Sequence, residues 1–145
     1  MNIVTGSDHA GFDLKHSLVE FLEGQGHTVN DKGTLAKERC DYPDYAAAVA
    51  RAVMAGEADL GILVCGTGIG MAMSANKIAG IRAAVVSDVF SARATREHND
   101  ANVLCLGERV VGVGLAQDIV SAFVGAQFEG GRHQGRIDKM MALEG

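Results

Sequence analysis

One proline, no tryptophan and three cysteines are the scarcities of this 145-residue chain, and each excludes something. Pro43 stands alone, and no Ser/Pro/Gly-rich or low-complexity run interrupts the sequence. Tethered modules need such linkers, so one domain over residues 1–145 is expected. Cys40, Cys65 and Cys105 are odd in number and never spaced as CxxC. That argues against a disulfide framework and against a zinc site, and leaves at least one thiol free. No window approaches the roughly 20 apolar residues of a membrane span. The start, "MNIVTGSDHAGF", lacks the basic and apolar segments of a signal peptide, so a soluble cytoplasmic protein is expected. Runs of Lys and Arg are missing too. With a formal charge of −5, nucleic acid and anionic membrane surfaces are not expected partners. The one close basic group, "GGRHQGR" (Gly130 to Arg136), is either a solvated patch or an anion site.

What is present is apolar residues, 48% of the chain, and glycine, 19 in number, enough for one real core with many turns. Short apolar runs alternate with amphipathic ones. "NIVTG" reads as a strand and Gly11 to Gln25 as a helix, with Phe12, Leu14, Leu18, Val19, Phe21 and Leu22 as its stripe. "HTVND" is a second strand. Pro43 suits a first helical turn, and the alanines after it run to a stop at Gly56. "LGILVCG" is a third strand, followed by a glycine turn and a helix to about Lys77. "IRAAVVSD" and "NVLCLG" are the fourth and fifth strands, each with a helix after it, "VFSARATREH" and "VGLAQDIVSAFVGA". Five such strands, each followed by a helix, describe a Rossmann-like three-layer α/β/α sandwich on a five-stranded parallel sheet. Ligands of such sheets lie beyond the carboxyl ends of the strands, where chain order reverses. The order of strands four and five stays open.

The turn "CGTGIG" carries glycines at 66, 68 and 70 directly after strand three. A nucleotide-triphosphate loop would need glycine where Met71 stands, then Lys-Ser/Thr, and does not fit. A dinucleotide fingerprint is supplied with its first two glycines and, in Asp88, with an acid near the ribose position, but its third glycine falls on Met71. A small anion or oxyanion cradled by the N–H groups of Gly66 to Gly70 needs nothing more than this loop, and a purely structural turn is the fourth reading. Cys65 stands at its hinge. It is either an apolar filler, the reading given to Cys105 inside its strand, or a thiol whose thiolate is favoured by a helix N-terminus. Cys40, in a polar loop, suggests no role.

"GSDHAGF", "DYPDYA", "CGTGIGMAMSANK", "REHNDANVLCLGERVVG" and "EGGRHQGRID", in this order and spacing, resemble ribose-5-phosphate isomerase type B from Gly6 to Asp138. The Cys-Gly-Thr-Gly turn and the His-Asn-Asp-x-Asn block are the distinctive pieces, and the pattern is kept at every matched position. The resemblance implies an aldose–ketose isomerase of the pentose phosphate pathway, taking ribose 5-phosphate to ribulose 5-phosphate through an enediolate without metal or cofactor. It implies Cys65 as the base between C1 and C2, His98 as the acid/base that opens the sugar ring, and Thr67 with the N–H groups of Gly66, Gly68, Ile69 and Gly70 around the enediolate oxygen. Asp8, His9, Tyr42 and Asn99 are implied as further substrate contacts, and Arg109, Arg132 and Arg136 as holders of the phosphate. Asp8 would serve equally as a helix N-cap. The resemblance also implies a homodimer or tetramer with a shared pocket. Related isomerases act on allose or galactose 6-phosphate, and a non-catalytic phosphosugar-binding module would keep the arginines without needing Cys65 or His98. His16, His27 and His133 receive no role.

Overall fold

Strands that are apolar on both faces must be covered on both, and alternation along the central strands decides which helix covers which. The computed structural model describes residues 1–145. Its five parallel strands are β1 (Asn2–Ser7), β2 (Thr28–Asp31), β3 (Leu60–Cys65), β4 (Ala83–Val85) and β5 (Val103–Gly107), in the sheet order β2-β1-β3-β5-β4. The helices are α1 (Phe12–Gly24), α2 (Tyr42–Met54), α3 (Ile69–Ala75), α4 (Val89–Asn99), α5 (Val113–Gly125) and α6 (Arg132–Met141), with short 3₁₀ turns at His9–Gly11 and Ala142–Glu144. Ile3, Ile62, Val64, Leu104 and Leu106 face the layer of α1, α4 and α5. Their sequence neighbours Val4, Leu63, Cys65, Val103 and Cys105 face α2 and α3. The expected α/β/α sandwich is the one that forms.

Leu14, Leu18 and Leu22 recur every four residues and put one face of α1 into the core, each side chain contributing about 1.5–3 kcal/mol. Lys15 lies beside them and is only 1% exposed. Its Nζ sits 2.9 Å from Asp31 Oδ1 and donates to the Thr34 carbonyl, which makes the burial of a lysine tolerable. That clasp ties α1 to the end of β2 and to the start of the loop leading to α2. Pro43 does occupy the first turn of α2, and Gly56, at φ +78°, ends the helical path after Ala55.

Three readings need correction. β4 spans three residues rather than Ile81 to Asp88: the Arg82 N–H goes to Asn102 Oδ1 at 2.8 Å, and Asp88 turns away to cap α4. α3 stops at Ala75 rather than Lys77, because the Asn76 side chain leaves the helix to clasp both backbone groups of Ala83 at 2.8 and 2.9 Å. Finally, the basic cluster lies in and just before a helix, α6, which was not expected. Only His133 and Ile137 are buried on it, and three glycines at 130, 131 and 135 obscure its periodicity.

The topology positions the site. Chain order reverses between β1 and β3, which pair directly, and β5 returns to the other side of β3. The loops after β1, β3 and β5 therefore crowd together at the carboxyl edge. No helix is long and apolar enough to cross a membrane.

Candidate active site

The carboxyl edge is built from backbone outward. Asp8, buried at the end of β1, accepts from the N–H groups of Ala10 and Gly11 at 3.0 and 3.1 Å, so it is the cap expected of it. His9 follows, and its Nδ1 accepts from the Cys40 N–H at 3.2 Å. A neutral ring held that way carries its proton on Nε2, the free nitrogen. After β5 the chain folds back over the glycine turn: Glu108 N donates to the Cys65 carbonyl at 2.9 Å and Arg109 N to the Gly66 carbonyl at 3.1 Å. Arg109 thereby lies along Gly66, where an added Cβ would come 3.7 Å from its Nε. Tyr42 lays its ring against Gly70, and a Cβ there would fall 2.7 Å from its Cζ.

Within the turn, Gly68 has φ +81° and an added Cβ would meet the Leu106 backbone at 2.9 Å, so both conformation and space demand glycine. Its N–H donates to Cys65 Sγ at 3.0 Å. The Ile69 N–H goes to Thr67 Oγ1 at 3.2 Å, while the N–H groups of Gly66, Thr67 and Gly70 find no acceptor within the chain. The turn thus offers unused donors beside a sulfur that already receives one. A hollow of about 280 Å³ lined by Thr67, Ile69, Val85, Ser87 and Gly107 opens next to it. Cys105, two residues deeper on β5 and fully buried, is different: burial, then the neighbouring Cys65, pushes its thiol far up, so it stays neutral as a core filler.

His98 and Asn99 lie elsewhere. α4 leaves the carboxyl edge at Asp88, and eleven residues at 1.5 Å each carry its end about 16 Å away, to the amino edge of the sheet. There Asp100, at φ +47°, is braced by Arg96 at 2.9 Å, and Arg82 holds the carbonyls of Asn99 and Asp100, each at 3.1 Å from its Nε. Much of the His-Asn-Asp-x-Asn block is therefore structural. The Glu129 N–H, bonded to the Glu97 carbonyl at 3.0 Å, brings the start of α6 to the same place. The His133 ring, 6% exposed, stacks on His98 with centroids 4.6 Å apart and planes 16° from parallel. Arg132 and Arg136 project from α6 into solvent. A concavity of about 470 Å³ lined by Asn99, Arg82 and Met140 also opens on this side, away from Cys65.

Within one chain, then, the fold gathers Asp8, His9, Tyr42, Cys65 to Gly70 and Arg109 at one edge, and His98, Asn99, Arg132 and Arg136 at the other. Glu108, Glu129 and His133 escaped the sequence reading. Glu108 Oε1 accepts the Leu14 N–H at 2.7 Å and so occupies the start of α1, where an anion would otherwise bind. Asp88, the ribose-binding candidate of the dinucleotide reading, spends its carboxylate on the Ser91 N–H at 2.7 Å, a bond that also holds its pKa below the usual carboxylate value.

Comparison with known proteins bears on this geometry. The model of the ribose/galactose isomerase family matches residues 3–140. Ribose-5-phosphate isomerase B of Escherichia coli is 56% identical over 142 residues, covering 98% of this chain and 95% of that protein. The galactose-6-phosphate isomerase subunit LacB of Clostridium acetobutylicum is 46% identical over 129 residues, 89% of this chain and 75% of its own. Among solved structures, ribose-5-phosphate isomerase B of Clostridium thermocellum superimposes with a TM-score of 0.98 at 52% identity, covering 99% of this chain and 97% of that one.

Proposed function

The chain belongs to the ribose/galactose isomerase family and is an aldose–ketose isomerase; on that premise we propose that it interconverts D-ribose 5-phosphate and D-ribulose 5-phosphate in a pocket shared between two copies of the chain. The observation that carries this reading is the free-donor turn beside Cys65, matched to a near full-length likeness to ribose-5-phosphate isomerase B. The six-carbon alternative draws less support, since the LacB likeness leaves a quarter of that protein unmatched and LacB is one subunit of its enzyme.

Isomerisation moves one proton between C2 and C1. Cys65 as thiolate takes it from C2 of the open aldose, and the electron pair moves into the C1–C2 bond while O1 becomes the enediolate oxygen. The N–H groups of Gly66, Thr67 and Gly70, with the Thr67 hydroxyl, meet that charge where it develops. The O2 proton passes to O1, and the thiol returns its proton to C1 as the C2=O2 carbonyl forms. The Gly68 N–H on Sγ is the kind of donor that stabilises a thiolate without blocking its other lone pairs. Asp8 and His9 line the sugar from the β1 side, with His9 Nε2 free to donate. Tyr42 walls the turn and Ile69 contributes its backbone.

α4 carries His98 to the opposite edge of the sheet from its own chain's turn, so in this reading it serves the turn of a second copy, together with Asn99, Arg132 and Arg136. Its task is ring opening. O1 and O4 of the furanose are both bonded to C1, so one imidazole nitrogen reaches both: it accepts the O1 proton and gives it to O4 as the C1–O4 bond breaks and the C1=O1 bond forms. The phosphate dianion lies between Arg109 of one copy and Arg132 and Arg136 of the other, whose guanidinium forks suit paired oxygens.

Incubation with ribose 5-phosphate, allose 6-phosphate or galactose 6-phosphate in heavy water tests the assignment by following deuterium into C1 and C2. Turnover and exchange are expected with the pentose phosphate. Exchange with a hexose phosphate alone would move the substrate, and exchange with none would sink the reading.

A further inference from the structure

Glu129 and His133 take part in no step above, yet they surround the group that opens the ring. Nε2 of His98 and Nε2 of His133 both face Glu129 Oε1, at 3.8 and 3.5 Å. The two imidazoles are stacked, and the buried His133 Nε2 has no hydrogen-bond partner. A buried nitrogen left unsatisfied calls for an explanation outside packing. A metal ion is one candidate, since the three donor atoms lie within 4.8 Å of one another. Rings 16° from parallel, however, send their in-plane lone pairs side by side, whereas a tetrahedral ion needs them to converge.

We propose that Glu129 and His133 are positioning residues for His98 in ring opening, an inference that rests on the isomerase reading. The Glu129 carboxylate faces Nε2 of His98, leaving Nδ1 to reach the sugar of the neighbouring copy. As His98 carries the O1 proton on its way to O4 it is an imidazolium, and the carboxylate stabilises that charge without itself taking the proton. His133 is the floor that fixes the ring plane, and its orphaned nitrogen turns to the same carboxylate oxygen. The exposed Glu129 side chain closes either gap by rotation about its own torsions.

The test separates ring opening from proton transfer. Ribulose 5-phosphate has no ring, because its O5 is esterified, so deuterium exchange at its C1 needs Cys65 but not His98. Glu129→Gln is expected to lower kcat for ribose 5-phosphate about tenfold or more while C1 exchange in ribulose 5-phosphate stays within about twofold of wild type. His133→Leu, which keeps the volume and removes the ring, is expected to show the same split, and the double variant no more than the larger single loss. Equal loss in both measurements, or no loss in Glu129→Gln, would overturn the proposal. So would activity lost to a chelator and restored by zinc. A wild-type chain that performs neither reaction would instead refute the isomerase reading itself.

Discussion

Asp8, His9, Tyr42 and Cys65 are each fastened by their own chain, whereas Arg132 and Arg136, at the opposite edge of the sheet, project unpaired into solvent. One edge of the molecule is a finished cradle; the other is a set of charged groups on a helix, held by the His98 and His133 stack, the buried Ile137 and the Glu129 N–H on the Glu97 carbonyl. On the proposed mechanism, the difference teaches that the atoms which must be placed to within fractions of an ångström, the base and the oxyanion donors, come from strand ends and a glycine turn. On the same proposal, the arginines that would recognise charge at longer range are left to an edge that a second copy would bring in.

Complementation breaks or confirms this division most sharply. Cys65→Ala and His98→Ala are each expected to lower turnover of ribose 5-phosphate by about 10²–10⁴-fold, the range for losing a positioned acid or base. When the two variants are mixed and subunits exchange, half the dimers are mixed, and one of the two sites in each holds both an intact Cys65 and an intact His98. Activity should return to about a quarter of wild type for a two-fold dimer. No recovery after demonstrated subunit exchange would place the whole site within one chain and remove the contrast between the edges.

The finished edge also depends on support from below. Lys15 clasps Asp31 and the Thr34 carbonyl, and so anchors the start of the loop on which Cys40 holds His9. Lys15→Ala is expected to destabilise the fold by about 3 kcal/mol, because it strands a carboxylate that is 25% exposed. Lys15→Met, which keeps the length and the packing, should leave the methylene burial intact. Arg132→Ala, by contrast, should raise KM for ribose 5-phosphate while changing unfolding free energy by less than about 0.5 kcal/mol. Denaturant unfolding and steady-state kinetics on the three variants measure both. A stability loss in Arg132→Ala as large as in Lys15→Ala would show that the two edges are not built differently.

These contrasts were only partly legible in the sequence. The sandwich followed from alternation, since Ile62 and Val64 on one face of β3 and Leu63 and Cys65 on the other are all apolar. The glycine turn was legible because Gly66, Gly68 and Gly70 have no other reason to alternate beside a strand end. Lys15 was not, because a charged residue inside an apolar stripe reads as the edge of that stripe until its partner on β2 is known. Nor was α6, whose glycines break the periodicity that His133 and Ile137 would have to carry alone. The splitting of the candidate residues between two edges depends on α4 running back along the sheet, and no local pattern around His98 records where the previous strand ended.

The smallest expected effect distinguishes two thiols on the same face of adjacent strands. Cys65 lies at the rim of β3, while Cys105 on β5 pairs with Leu63, two residues deeper. Burial raises the Cys105 pKa in the folded chain above its ordinary value of 9.0, so above that pH the unfolded chain releases a proton that the native chain keeps. The unfolded state then binds fewer protons, and stability from this thiol is fully present below pH 9 and lost as pH rises beyond it. Between pH 8 and 10 the loss is about 1.4 kcal/mol for one such group. Cys105→Ala should remove that part of the slope, at the cost of a small cavity whose effect is independent of pH. Unfolding by denaturant at the two pH values, in wild type and variant, reads the difference directly. An identical slope in both would mean that Cys105 is not the sealed thiol its depth implies, and that the rim does not end where Cys65 stands.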